Sequence, residues 1–230
     1  MTPDPWQAGL LRCPSPRLLM LCSRQSGKST TAAALALQAA LLEPRSLVLL
    51  LSPTLRQSGE LFRDKVKRLY NDLGRPVATV QDSALTMELA NGSRIVSLPG
   101  DEETVRGYSG VRLLVIDEAA RVPDPLYYAV RPMLAVSGGR LVALSTPFGR
   151  RGWFCDEWDS RNPWERVRIT ADHCPRITAE FLAEERAALG SRWFNQEYHC
   201  SFEDMAGAVF AGVDIDRALA NDLEPLEFPS

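Results

Sequence analysis

Four short, nearly unbroken apolar runs set the frame of this chain: RLLMLC from residue 17, SLVLLL from 46, RLLVI from 112 and RLVAL from 140. A strand with one wetted face alternates apolar and polar residues, whereas a continuous run suits a strand covered on both faces, as in a parallel sheet. Parallel neighbours need crossovers, and the chain supplies them. GKSTTAAALALQAALLEP, rich in Ala and Leu and stopped by Pro44, reads as one crossover helix. TLRQSGELFRDKVKRLYNDLG, with apolar residues at helical spacing and Gly74 as its stop, reads as another. The expected fold is α/β, a mainly parallel sheet flanked by helices. One segment departs from the rhythm. LTMELANGSRIVSL alternates around Asn91-Gly92, a two-residue hairpin signal, and predicts an antiparallel addition at the sheet edge.

The size, 230 residues, suits one ordinary domain with a smaller appendage. Residues 1–149 read as the sheet core. Residues 150–211 read as a small helical lid or linker subdomain: RRGWFCDEWDSRNPWERV carries three tryptophans, and TAEFLAEERAALGSRWFNQEY predicts one or two helices. Residues 212–230, acidic and proline-containing, read as a linker tail. No apolar run is long enough to span a membrane, and MTPDPWQAGLL lacks the pattern of a secretory signal. A net charge of −3 gives no overall nucleic-acid footprint. DNA contacts, if the chain makes any, must come from local patches such as FRDKVKRLY or FGRRGWF, which otherwise are solvated faces. Five cysteines without a C-x-x-C pair point to reduced, intracellular thiols rather than disulfides or a zinc knuckle.

The chemistry gathers where two of the apolar runs end. CSRQSGKST, residues 22–30, leaves the first strand and enters the first helix, which is where a phosphate-binding loop must sit. Gly27 lets the backbone approach phosphates closely, and the amides that follow point at them from a helix N-terminus. Lys28 offers a point charge to the β- and γ-phosphates, and the Ser29 hydroxyl can ligate Mg²⁺. Ser23, Arg24, Gln25, Ser26 and Thr30 complete the candidate cradle. Cys22 stands where the usual pattern has glycine; a small residue serves there, because that position only eases the turn out of the strand. LLVIDEAARV ends a second strand on adjacent carboxylates. Asp117 suits the Mg²⁺ shell, and Glu118 suits the orientation and deprotonation of an attacking water. LVALSTPFG ends a third strand on Ser145 and Thr146, either hydroxyl sensors of the γ-phosphate or a plain exit from the strand.

These residues together resemble the ATPase domain of phage large terminases, the motors that pump double-stranded DNA into viral capsids. The resemblance runs from about Trp6 to Phe210 and rests on SRQSGKST, LLVIDEAA and STPFG. LSPTLRQSGELF, LPGDEETVRGYSGVR and FNQEYHCSF make it more specific. It implies a P-loop ATPase fold of the helicase-like class, with ATP and Mg²⁺ as the bound species. PWQ resembles an adenine-reading motif and would place Gln7 at the adenine edge; a simple helix start has the same letters. Arg24 would face phosphate or a neighbouring subunit. Arg106, in TVRGYSG, resembles an arginine finger reaching a neighbour's ATP in a ring, although a surface charge or a DNA contact fits it equally. STP resembles the motif that couples hydrolysis to movement of the small subdomain.

The resemblance also implies a homo-oligomeric ring, a pentamer by family likeness, that works with a portal protein and a small terminase subunit in the host cytoplasm. Large terminases carry an RNase H-like nuclease after the motor. Asp214 and Asp216 in GVDID look superficially like its first acidic strand, but RALANDL follows in helical pattern. The expectation is a linker there and no DNA cleavage by this chain. Two other functions share the motifs: a helicase-like or repair ATPase, and a nucleotide-gated ring-assembly module with little turnover.

Overall fold

The computed structural model describes residues 2–100, 105, 107–204 and 218. Its centre is one sheet built on the four apolar runs: β1 (Arg17–Cys22), β2 (Leu47–Ser52), β6 (Val111–Asp117) and β7 (Arg140–Ser145). With β3 (Thr79–Asp82), β4 (Thr86–Leu89), β5 (Arg94–Pro99) and β8 (Glu165–Ile169), the described strands follow the order β3-β4-β5-β2-β6-β7-β1-β8. All neighbours are parallel except β3–β4 and β4–β5, which are antiparallel. The hairpin expected at Asn91-Gly92 is the β4–β5 turn. Its second strand pairs in parallel with β2, leaving β4 and β3 as the antiparallel edge.

Both faces of the interior strands are dry, which is why their sequences do not alternate. Leu18, Met20, Val48, Leu50, Val115 and Leu144 pack on one side against α2 (Lys28–Leu42) and the helix that follows β2. Leu19, Leu21, Leu49, Leu51, Ile116 and Ala143 pack on the other against α4 (Asp124–Val130) and α5 (Gly152–Asp159). α2 buries Ala32, Ala33, Ala36 and Ala40, small residues that let it lie close to the sheet. Cys22 is fully buried in the first of these layers, and burial pushes its thiol far up from its ordinary range. It behaves as a small hydrophobe at the end of the strand.

The helix after β2, α3, runs continuously over residues 55–72, and its middle, Leu61–Lys67, is π-helical. Gly74 follows it with a φ of 75°, the left-handed stop that the sequence suggests. α1 (Pro5–Arg12) packs beside α2, and α6 (Ala179–Tyr198) is one helix kinked at Gly190.

Residues 150–204 differ from the helical expectation in one respect. They contribute β8, which pairs in parallel with β1 and extends the sheet. The turn before it winds around one guanidinium: Arg166 donates to the carbonyls of Glu157, Trp158, Ser160 and Trp164 at 2.7–3.0 Å. Residues 205–217 and 219–230, which include the last part of the expected lid and the tail with Asp214 and Asp216, lie outside the described residues.

Candidate active site

In an open parallel sheet, ligands bind beyond the carboxyl ends of the strands. β1, β7, β6 and β2 are adjacent, so the segments leaving them converge on one edge. The loop after β1 makes a sharp turn. Gln25 has a φ of 58° and Gly27 a φ of 94°, both left-handed. Ser26 Oγ closes the turn by donating to the Ser23 carbonyl at 2.8 Å, and Ser23 and Ser26 are fully buried. Gly27 caps α2, whose first turn leaves N–H groups without intrahelical partners. Lys28, Ser29 and Thr30 occupy that first turn. The φ of Gly27 is what favours glycine; a Cβ there would also stand 3.0 Å from Gln7 Nε2, the end of a flexible side chain that would have to give slightly.

The two sequence motifs meet. Ser29 Oγ donates to Asp117 Oδ2 at 3.0 Å, across the gap between α2 and β6. Lys28 Nζ stands 3.0 Å from Glu118 Oε1. Burial pushes the Asp117 carboxyl up to about 6; Lys28 pulls it back and Glu118 adds to the rise. For Lys28, burial disfavours the charge, yet the Glu118 and Asp117 carboxylates outweigh it and hold the ammonium above its ordinary value. Glu118 itself has a φ of 50° and a ψ of 42°, a left-handed geometry that costs a non-glycine residue about 1–2 kcal/mol and clusters at functional sites. Ser145 ends β7 and Thr146 follows it, both buried, and Ser145 Oγ has no hydrogen-bond partner among the described residues. A cavity of about 320 Å³ opens between Ser29, Asp117 and Glu118 on one wall and α3 on the other.

A buried carboxylate whose charge is disfavoured, 3.0 Å from a hydroxyl, is a hard-oxygen donor pair that fits Mg²⁺.

The remaining candidates fall around this centre. Gln7 does start a helix: its Oε1 accepts from the Asp4 N–H at 2.9 Å. Its Nε2 also donates to Thr31 Oγ1 at 3.2 Å, so it sits against the phosphate loop. Arg24 turns outward with its side chain mostly exposed, 3.9 Å from Glu197 Oε2, while its N–H donates to the Glu197 carbonyl at 2.9 Å. Arg106 lies outside the described residues.

Sequence reasoning missed three contributors. Arg176 forks onto both oxygens of Asp4 at 2.8 Å each and donates to the Ser26 carbonyl at 3.1 Å, clamping the N-terminal segment to the phosphate loop. Gln196 Oε1 accepts from the Gly149 N–H at 3.2 Å, and its neighbour Glu197 holds Arg24. Nothing in the sequence marks Arg176. Gln196 and Glu197 were signalled by FNQEY, where polar residues sit inside the apolar end of a helix.

The sequence pattern described as "Terminase large subunit, T4likevirus-type, N-terminal" matches residues 19–217. The chain belongs to this family. Curated large-subunit terminases of Thermus phage G20c and Thermus virus P23-45 are each 25% identical to it over 245 aligned positions. That alignment takes in 91% of this chain but 50% of each relative, so the chain spans about half the length of the curated relatives it matches. Among solved structures, the Thermus phage P74-26 large terminase ATPase domain superposes with a TM-score of 0.74 at 24% identity, covering 87% of this chain and 94% of that one. The large terminase of a thermophilic bacteriophage superposes at 0.72 with 16% identity, covering 88% of this chain and 54% of that one. A further structure of that second terminase is a complex with ATP-γ-S, superposing at 0.69. These likenesses establish the terminase ATPase-domain fold, a P-loop NTPase fold, for this chain.

Proposed function

We propose that this terminase chain binds and hydrolyses ATP, and that turnover drives double-stranded DNA into a procapsid. The observation that carries the reading is the meeting of Lys28, Ser29, Asp117 and Glu118 at one sheet edge, through two 3.0 Å contacts from residues about 90 positions apart. Lys28 exchanges Glu118 for the incoming phosphates. That exchange removes Lys28 from Glu118, leaving Arg121 at 3.7 Å on its other oxygen, and lets the carboxylate orient a water and accept its proton. Ser29 and Asp117 would hold Mg²⁺, which when bound neutralises charge on the phosphate oxygens. Gln7 would read the adenine edge. Arg24, within the phosphate loop, would face phosphate or a neighbouring subunit, and Arg106 would act on a neighbour's nucleotide.

Coupling to movement is supported by the two adjacent residues of α6 that touch both loops, Gln196 on Gly149 and Glu197 on Arg24. A shift of Ser145 and Thr146 on phosphate loss would reach α6 through Gly149. Residues 1–149 would then be the motor core, 150–211 the lid that moves and 212–230 the linker. The partners are a portal protein, a small terminase subunit and further copies of this chain in a ring, a pentamer by family likeness, in the host cytoplasm.

The test is phosphate release together with nucleotide binding. Lys28→Ala should abolish turnover and weaken binding. Glu118→Gln should abolish turnover and leave binding intact. Unchanged turnover in Glu118→Gln would remove Glu118 as the base. Turnover indifferent to duplex DNA and portal protein would remove the coupling.

A further inference from the structure

The wall facing Asp117 and Glu118 across the cavity belongs to α3, the helix of the LSPTLRQSGELF motif, and it is charged. Glu60, Asp64 and Lys65 all line this cavity with Ser29, Asp117 and Glu118. Four carboxyl groups around one opening would repel an incoming polyphosphate, so the fate of each charge decides what the cavity accepts. Glu60 is paired with Arg56 at 2.8 Å, and Asp64 with Arg63 at 2.7 Å. Lys67, further along the same helix, is paired with Asp82 and donates to the Ser83 carbonyl. Lys28 is held by Glu118. Lys65 differs from all of these. It is exposed, and among the described residues its ammonium makes no ion pair within 4.0 Å and no side-chain hydrogen bond, its charge being felt only at a distance by Asp64. It also borders a second, smaller opening of about 80 Å³, which reaches Thr30 on the first turn of α2. Lys65 therefore borders both the opening that reaches the helix end that would meet phosphate oxygens and the cavity of the acid pair that would meet the metal and water.

Resting on the nucleotide-site reading above, we propose that Lys65 is a second cationic contact for the terminal phosphate, supplied from the same subunit. The flexible four-carbon stem and point charge of lysine suit a group that travels to its partner on binding. The contact is absent for a diphosphate, which ends one phosphate short.

The test compares binding of ATP-γ-S and of ADP, each with Mg²⁺, to the full chain. Lys65→Ala should weaken ATP-γ-S by about tenfold, the worth of one charge-assisted hydrogen bond, and leave ADP within about twofold. Lys65→Arg should restore the difference. Equal losses for both nucleotides would make Lys65 structural and overturn the proposal. So would no loss for either while Lys28→Ala loses both. If Lys28→Ala binds both nucleotides normally, the nucleotide site itself is misassigned, and this failure is distinct from the other two. Because Lys65 is exposed, its variants should fold, which an unchanged urea midpoint verifies.

Discussion

Removing Glu157 should cost this chain about as much stability as any single side chain outside the apolar core. Glu157 is mostly buried on α5, and its two oxygens serve five donors. Tyr127 OH donates to Oε1 at 2.9 Å, Trp164 Nε1 to Oε2 at 2.9 Å and Asn162 Nδ2 to Oε2 at 2.7 Å; Arg131 and Ser160 stand farther away, at 3.3 and 3.4 Å. In Glu157→Ala, Asn162 and Arg131 are exposed enough to turn to water. Tyr127 and Trp164 are buried, and Tyr127 is held in place by a parallel stack on Trp153 at 3.8 Å. Two orphaned buried donors at about 1–3 kcal/mol each give a loss of about 4 kcal/mol. Glu157→Gln should lose far less. A tyrosine hydroxyl can accept, so the new amide donates to Tyr127, while its oxygen still accepts from Trp164, an indole that only donates. The expected cost is about 1–2 kcal/mol. Urea unfolding followed by tryptophan fluorescence reads both variants, and a double-mutant cycle with Trp164→Phe should give a coupling of about 1–3 kcal/mol for the alanine variant. The pH dependence has a defined sign. Burial opposes the charge, but the donors Asn162, Tyr127 and Trp164, with Arg131, outweigh it and hold Glu157 below the ordinary 4.5. The stability it adds is therefore present above that value and lost as pH falls through its lower folded value. Equal losses for Ala and Gln, or no coupling to Trp164, would refute the reasoning.

Three further outcomes follow from local geometry. Gly27→Ala, at a φ of 94° and with its Cβ 3.0 Å from Gln7 Nε2, should destabilise the chain by about 1–3 kcal/mol and weaken nucleotide binding; an unchanged urea midpoint would contradict this. Arg176→Ala should cost only about 1 kcal/mol, because the guanidinium is half exposed, yet it should release the segment before α1 to proteolysis. Thiol titration of the native chain at pH 8 should give one fast-reacting cysteine, Cys13, because Cys22, Cys155, Cys174 and Cys200 are buried and burial pushes their thiols up, to about 11 for Cys155 and about 12 for Cys200. A second equally fast thiol would mean that one of these walls opens.

What the sequence displayed and what it hid divide along the sheet. The strands readable beforehand are interior ones: four from the uninterrupted apolar residues that burial on both faces demands, and β4 and β5 from alternation around Asn91-Gly92. The two that escaped notice, β3 and β8, are the edges. β8 is ERVRI, with Glu165 and Arg168 exposed, and β3 is TVQD, exposed along most of its length. An edge strand needs only backbone bonds to one neighbour, and charges on it discourage pairing with another chain, so its letters resemble a loop. The site divides in the same way. Lys28, Ser29, Asp117 and Glu118 were readable because strand ends fix where they must stand. Arg176 and Glu157 were not, because each owes its role to a partner far away in the chain, Asp4 and Tyr127; nor was Lys65, because only the fold brings α3 to the cavity that Asp117 and Glu118 line. The unread parts also belong together. β8 lies against β1 and is pinned by Arg166 to the turn that Glu157 organises, while the Ser23 N–H donates to the Ile169 carbonyl at the end of β8 at 2.7 Å. The phosphate loop is thus held directly by the segment after residue 150. A perturbation at Glu157 should reach nucleotide affinity through β8, whereas one at the far edge strand β3 should leave it unchanged.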